Sequence, residues 1–137
     1  MGPTAVSRLR VHGDGGSRGN PGPAAAAAVF LDEEGGVTDT FTEYLGIATN
    51  NQAEYRAVEL GLEAMHEQGL KEADFYLDSQ LVVRQLNGQY KVKHPDMQAA
   101  FSRIQELLVG LDVTFTHVMR SDNTLADAAV NACLDSH

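Results

Sequence analysis

Four acidic side chains in this sequence stand where folding alone would favour an apolar residue or a simple turn. Asp14 follows Leu9 and Val11, which alternate as in a strand, and precedes the turn-rich run Gly15-Gly16-Ser17-Arg18-Gly19-Asn20-Pro21-Gly22-Pro23. Glu54 shares helical spacing with Val58, Gly61, Leu62 and Met65, so it lies near an inward line. Asp78 ends the short apolar run 73–77, and Asp127 sits inside the last apolar segment. Each has an ordinary reading by itself: Asp-Gly is a frequent turn pair, and an acid in a first helical turn favours the helix dipole. A buried carboxylate nevertheless costs several kcal/mol unless it is paired, hydrogen-bonded or bound to a cation. Four converging acids require charge compensation, and hard oxygen donors suit Mg²⁺ or Mn²⁺. Two such ions about 3.5–4 Å apart activate a water and stabilise the leaving oxygen of a phosphodiester.

The elements that must position these acids follow from periodicity. Residues 8–13 alternate as a first strand, and residues 15–23 carry turn chemistry. The continuous apolar run 24–31 is a strand buried on both faces; its flanking Asn-Pro-Gly-Pro and its Val-Phe-Leu ending outweigh the helical propensity of its alanines. Asp32 to Gly36 is a hairpin turn, and 37–45 a third strand rich in Thr, Phe and Tyr. Thr49 or Asn50 caps a helix that runs to about Gln68 and stops at Gly69. On it, Glu59, Glu63 and Glu67 read as one solvated stripe. A fourth strand over 73–77 precedes a helix over 79–86. Asp78 then stands at a strand's carboxyl end, where α/β folds bind ligands. Pro95 suits the first turn of a helix reaching about Leu111, 113–118 is a fifth strand, and 123–134 a last helix. The order is βββαβααβα, an α/β fold with one five-stranded mixed sheet.

Composition bounds the rest. A chain of 137 residues suits a single domain over 1–137, with 1–7 and 135–137 as tails. No apolar run approaches a membrane span, and the first residues lack a signal-peptide core. The lone Cys133 excludes an internal disulfide and a cysteine zinc site, reads as a small core residue, and fits a reducing cytoplasm. A net charge of −9 runs against nucleic-acid binding by sign alone. Cations bound by four of the acids would make the field seen by a polyanion far less negative. The glycine-rich run is neither a dinucleotide nor a P-loop site: no Gly-Lys-Ser/Thr occurs, and Pro21 and Pro23 deny it an immediate helix N-terminus.

Four segments together resemble the signature segments of type 1 ribonuclease H. They are Asp14-Gly-Gly-Ser-Arg-Gly-Asn-Pro-Gly-Pro, Thr49-Asn-Asn-Gln-Ala-Glu54-Tyr, Leu77-Asp78-Ser-Gln-Leu-Val-Val, and His117-Val-Met-Arg-Ser-Asp-Asn-Thr-Leu-Ala-Asp127. The resemblance implies a five-stranded mixed sheet flanked by helices. It implies metal-dependent cleavage of the RNA strand of RNA/DNA hybrids by two Mg²⁺ or Mn²⁺ ions, leaving 5′-phosphate ends. Asp14, Glu54, Asp78 and Asp127 match the family's catalytic metal ligands. Asn20, Asn50, Asn51 and Gln80 match positions that contact substrate in its minor-groove cleft. Amides carry both donors and acceptors, which suits reading a 2′-hydroxyl.

The sequence also departs from the family pattern. The interval from His117 to Asp127 is short and offers no obvious loop histidine, so Arg120 is the nearest auxiliary group. No Trp occurs, and the link from Tyr90 to His94 is too short for the family's basic protrusion. The chain is thus similar to a compact bacterial and archaeal subgroup without it. Phosphate contacts then fall to Arg18, Arg84, Lys91, Lys93 and Arg120, with modest and salt-sensitive affinity expected. The expected partner is an RNA/DNA hybrid, with double-stranded RNA a further candidate substrate, and the expected state a monomer without membrane attachment. Two alternatives stand: a catalytically idle nucleic-acid-binding module, and another nuclease of the same fold such as a junction resolvase or integrase.

Overall fold

The computed structural model describes residues 8–137; the predicted tail over 1–7 lies outside the described residues. Strands β1 (Leu9–Ser17), β2 (Gly22–Leu31) and β3 (Val37–Ala48) form an antiparallel meander. Strands β4 (Glu72–Leu77) and β5 (Asp112–His117) add in parallel on the other side of β1, giving the order β3-β2-β1-β4-β5. Four helices complete the βββαβααβα order: α1 (Asn50–Gln68), α2 (Gln80–Leu86), α3 (Pro95–Leu108) and α4 (Thr124–Asp135).

Local chemistry sets most boundaries as predicted. Thr49 Oγ1 accepts from Gln52 N–H while Gln52 Oε1 accepts from Thr49 N–H, a reciprocal cap that opens α1. Gly69 closes it at φ 69°. Ser79 caps α2, and Pro95 occupies the first turn of α3 behind His94, whose ring accepts from Asp96 N–H. The alanine run is a strand because both of its faces are covered. Ala28 and Phe30 pack in the cluster with Val58 and Leu62 of α1, while Ala25 and Ala27 meet Val130 and Leu134 of α4.

Several expectations need correction. Helix α3 ends at Leu108 rather than near Leu111, because Gly110 turns the chain at φ 82°. A short 3₁₀ turn over Arg120–Asp122, not foreseen, precedes α4. Residues 135–137 are no free tail: Asp135 ends α4 and pairs with Arg18 at 2.7 Å, and the His137 ring stacks on Tyr44. Glu59 is buried rather than solvated, held by Arg103 at 2.8 Å and Arg56 at 3.4 Å. Burial pushes its carboxyl up, against the two guanidiniums. Arg56 also grips Glu43 of β3 with two bonds of 2.8 and 3.0 Å, tying β3 to α1, while Arg103 ties α3 to α1 through Glu59 and Glu63.

The largest correction concerns β1. It continues through Gly15, Gly16 and Ser17, which pair with Ala26, Ala25 and Ala24, so Asp14 lies inside the strand. The glycines there serve close approach rather than a turn. A Cβ on Gly15 would sit 2.1 Å from the Ala53 carbonyl carbon and 2.4 Å from Glu54 N, so only glycine lets α1 lie against β1 at this level.

Candidate metal centre

Strand β4 pairs with β1 only as far as Leu77 opposite Gly13. Beyond that point β1 has no parallel neighbour among the described residues, and the Gly15 N–H turns to Glu54 Oε1 at 3.0 Å instead. Glu54 reaches this gap because α1 rests on Gly15. Asp78, the residue after β4, reaches it because the strand ends there. Asp14, Glu54 and Asp78 consequently bring carboxylate oxygens within 4.8 Å of one another. Asp14 is 7% exposed and Glu54 6%.

The electrostatic consequence is direct. Burial, with the charges of Asp78 and Asp127 adding to it, pushes the Asp14 carboxyl up to about 6. Burial and then the charge of Asp14 push Glu54 well above the ordinary carboxylate range. Among the described residues no Lys or Arg ion-pairs with these acids. Glu54 Oε2 is buried without a hydrogen-bond partner among the described residues. An orphaned carboxylate oxygen among clustered, uncompensated acids is the arrangement a hard divalent cation satisfies, and an all-oxygen donor set fits Mg²⁺ or Mn²⁺.

Asp127 lines the same cleft from the first turns of α4 but is not part of the 4.8 Å set. The cleft, of about 360 Å³, also takes in Ser17, Arg18, Asn50, Asn51 and Arg120. Asn50 Oδ1 accepts from Ser17 N–H at 2.9 Å, and Asn20 Oδ1 accepts from Asn50 N–H at 3.0 Å, so the two amides bind the turn to the start of α1. Asn20 and Asn51 line a second hollow with His94 and Met97. Gln80, exposed at the start of α2, is outside the cleft lining. Arg18 is at the cleft but already engaged, by Asp135 and by Asn131 Oδ1 at 3.4 Å. Lys91 and Lys93 are exposed beside Tyr90 and Leu81, away from the acids. Arg84 donates to the Tyr90 hydroxyl at 2.6 Å. Cys133 is half-buried and packs against the cluster of Ala25, Ala27, Val130 and Leu134.

One site residue escaped the sequence reading. Asn123 is fully buried and bonds both Asp78 and His12. Its position before a helix read as an opening residue, and no local pattern marks a partner 45 positions away.

Comparison with known proteins gives a consistent set of relatives. A family model described as reverse transcriptase-like matches residues 12–133. Ribonuclease HI of Halobacterium salinarum is 42% identical over 97% of this chain and 67% of its own length. The crystal structure of that archaeon's RNase H1 superposes with a TM-score of 0.90, covering 96% of this chain and all of the other. Bifunctional protein Rv2228c of Mycobacterium tuberculosis is 40% identical over 94% of this chain, which spans only 36% of it. The crystal structure of LC11-RNase H1 in complex with RNA/DNA hybrid is 36% identical, with a TM-score of 0.90 over 94% of this chain and 98% of that one.

Proposed function

The chain belongs to the ribonuclease H family, and from that premise we propose that it is a metal-dependent endoribonuclease cutting the RNA strand of RNA/DNA hybrids. The observation that carries this reading is the convergence of the Asp14, Glu54 and Asp78 carboxylates, with Glu54 Oε2 buried and unpartnered among the described residues. Asp14, Glu54 and Asp78 would hold Mg²⁺ or Mn²⁺, with Asp127 joining from α4. When bound, a pair of such cations supplies Lewis acidity that activates a water and stabilises the leaving oxygen, giving 5′-phosphate products.

The chain's own groups do the rest. The buried carboxylates of Asp14 and Glu54 present their charge in a low-dielectric pocket, where cation binding displaces their protons. Arg120, exposed at the cleft edge, offers a guanidinium to a substrate phosphate. Asn50 and Asn51 beside the acids, and Asn20 in the adjoining hollow, present amides to the 2′-hydroxyl side of the hybrid. Gln80 would extend this set from α2. Lys91 and Lys93 supply phosphate contacts away from the cleft, and Arg18 does so by exchanging its partner Asp135 for a phosphate. We read residues 1–137 as one such domain, acting as a cytoplasmic monomer; no helix among the described residues is long and apolar enough to cross a membrane.

The test is incubation with labelled RNA/DNA hybrid, double-stranded RNA, double-stranded DNA and a four-way junction, with Mn²⁺ or with chelator. Chelator-sensitive cutting of the RNA strand of the hybrid is expected. Cutting of the junction alone points to a resolvase, and cutting of nothing to an idle binding module; either result ends this reading. The double-stranded RNA lane shows whether that substrate is also accepted.

A further inference from the structure

Asn123 is sealed from solvent, and its amide joins three elements. Nδ2 donates to the Gly13 carbonyl of β1 at 2.9 Å and to Asp78 Oδ2, past the end of β4, at 3.0 Å. Oδ1 lies 2.9 Å from His12 Nδ1. A primary amide has two N–H donors, and here both meet obligate acceptors, one a carbonyl and one a carboxylate. That fixes which end of the amide faces His12: Oδ1 accepts, so His12 donates from Nδ1. The His12 ring is in turn stacked on Tyr76, with centroids 5.1 Å apart. The Asn123 backbone bonds in both directions. Its N–H donates to the Arg120 carbonyl, and its carbonyl accepts from Asp127 N–H. One residue thereby links the strand of Asp14, the carboxylate of Asp78 and the helical turn of Asp127.

We propose that Asn123 is the positioning residue of the metal centre: it holds the Asp78 carboxylate toward Asp14 and Glu54, with His12 locking the amide's orientation. This rests on reading the site as a cation centre. Asp78 is the least buried of the three clustered acids and sits on a strand end rather than within an element. Repulsion from Asp14 and Glu54 favours its rotation into solvent, and the Asn123 N–H opposes that rotation. A neutral donor suits the task. Lys or Arg in its place would also orient the carboxylate but would cancel the charge that attracts a cation. The amide engages one lone pair of Oδ2 and leaves the other oxygen free.

Calorimetric titration of the intact protein with Mn²⁺ alone tests this without reference to activity. Asn123→Ala should weaken Mn²⁺ binding about tenfold to a hundredfold, the usual cost of losing a contact that orients a ligand. Ile104→Ala, a buried α3 residue outside the site, serves as a control: it should lower the melting temperature while leaving Mn²⁺ affinity unchanged. Unchanged affinity in Asn123→Ala overturns the proposal, as does an equal loss in Ile104→Ala. Failure of the wild-type protein to bind Mn²⁺ overturns the cation-centre reading and this inference with it. Nitrogen NMR of wild-type His12 gives an independent check if Asn123→Ala does not fold. The neutral ring should carry its proton on Nδ1, and a proton on Nε2 would refute the locked amide.

Discussion

Replacing Asp14 with Asn should make the metal-free protein more stable while abolishing cleavage. The Asp14 carboxyl is raised from 3.8 to about 6, chiefly by burial and further by the charges of Asp78 and Asp127. At 1.36 kcal/mol per unit, that displacement places roughly 3 kcal/mol of strain on the ionised, metal-free folded state at neutral pH. The sign follows from proton counting. Between 3.8 and about 6 the folded chain binds more protons than the unfolded one, so this contribution makes stability fall as pH rises through that window. Asn removes the charge but buries an amide, so about 1–3 kcal/mol of the strain should be recovered, a rise of several degrees in melting temperature. Calorimetry in chelator reads it directly. The gap between variant and wild type should be large above pH 6, shrink as pH falls through the window, and vanish or reverse below 3.8, where only the cost of the buried amide remains. Added Mn²⁺ should reverse the order, because only the wild-type site gains binding free energy. A variant less stable than wild type in chelator at neutral pH would refute the picture of carboxylates in mutual conflict.

Mn²⁺ affinity of the wild-type protein should rise with pH through about 6, since the cation displaces protons from Asp14 and Glu54; calorimetry across that range would show it, and a flat profile would count against the site. Gly15→Ala should cost about 3 kcal/mol or more in urea denaturation, because its Cβ meets the backbone of α1 rather than a movable side chain. Arg56→Ala should cost roughly 1–3 kcal/mol at neutral pH, as Glu59 and Glu43 lose a shared partner, one of them buried. Replacing Lys91 and Lys93 together by Ala should lower the slope of log affinity for hybrid against log salt by about 2, with the melting temperature unchanged.

Much of this protein was legible without coordinates because much of it is encoded locally. The reciprocal cap of Thr49 and Gln52, the left-handed stop at Gly69, the Ser79 cap and Pro95 at a helix start are all decided within four residues of sequence. The two-sided burial of the alanine strand shows in its unbroken apolar run. The four acids stood out because each interrupts an apolar pattern. Other features depend on partners far along the chain. Gly15 and Gly16 read as a turn, since glycine carries no periodic signal, and only their pairing with Ala26 and Ala25 of β2 makes them strand. Glu59 read as solvated until Arg56 and Arg103 closed over it. Arg18 read as a phosphate contact, and only the packing of α4 brought Asp135 to it. Asn123 read as a helix opening until the sheet set Gly13, Asp78 and His12 around its amide. The sequence alone determined which groups could do chemistry and the order of the elements bearing them. The tertiary structure alone decided which of those groups meet, because a buried polar side chain takes its partners from whichever segments packing brings beside it.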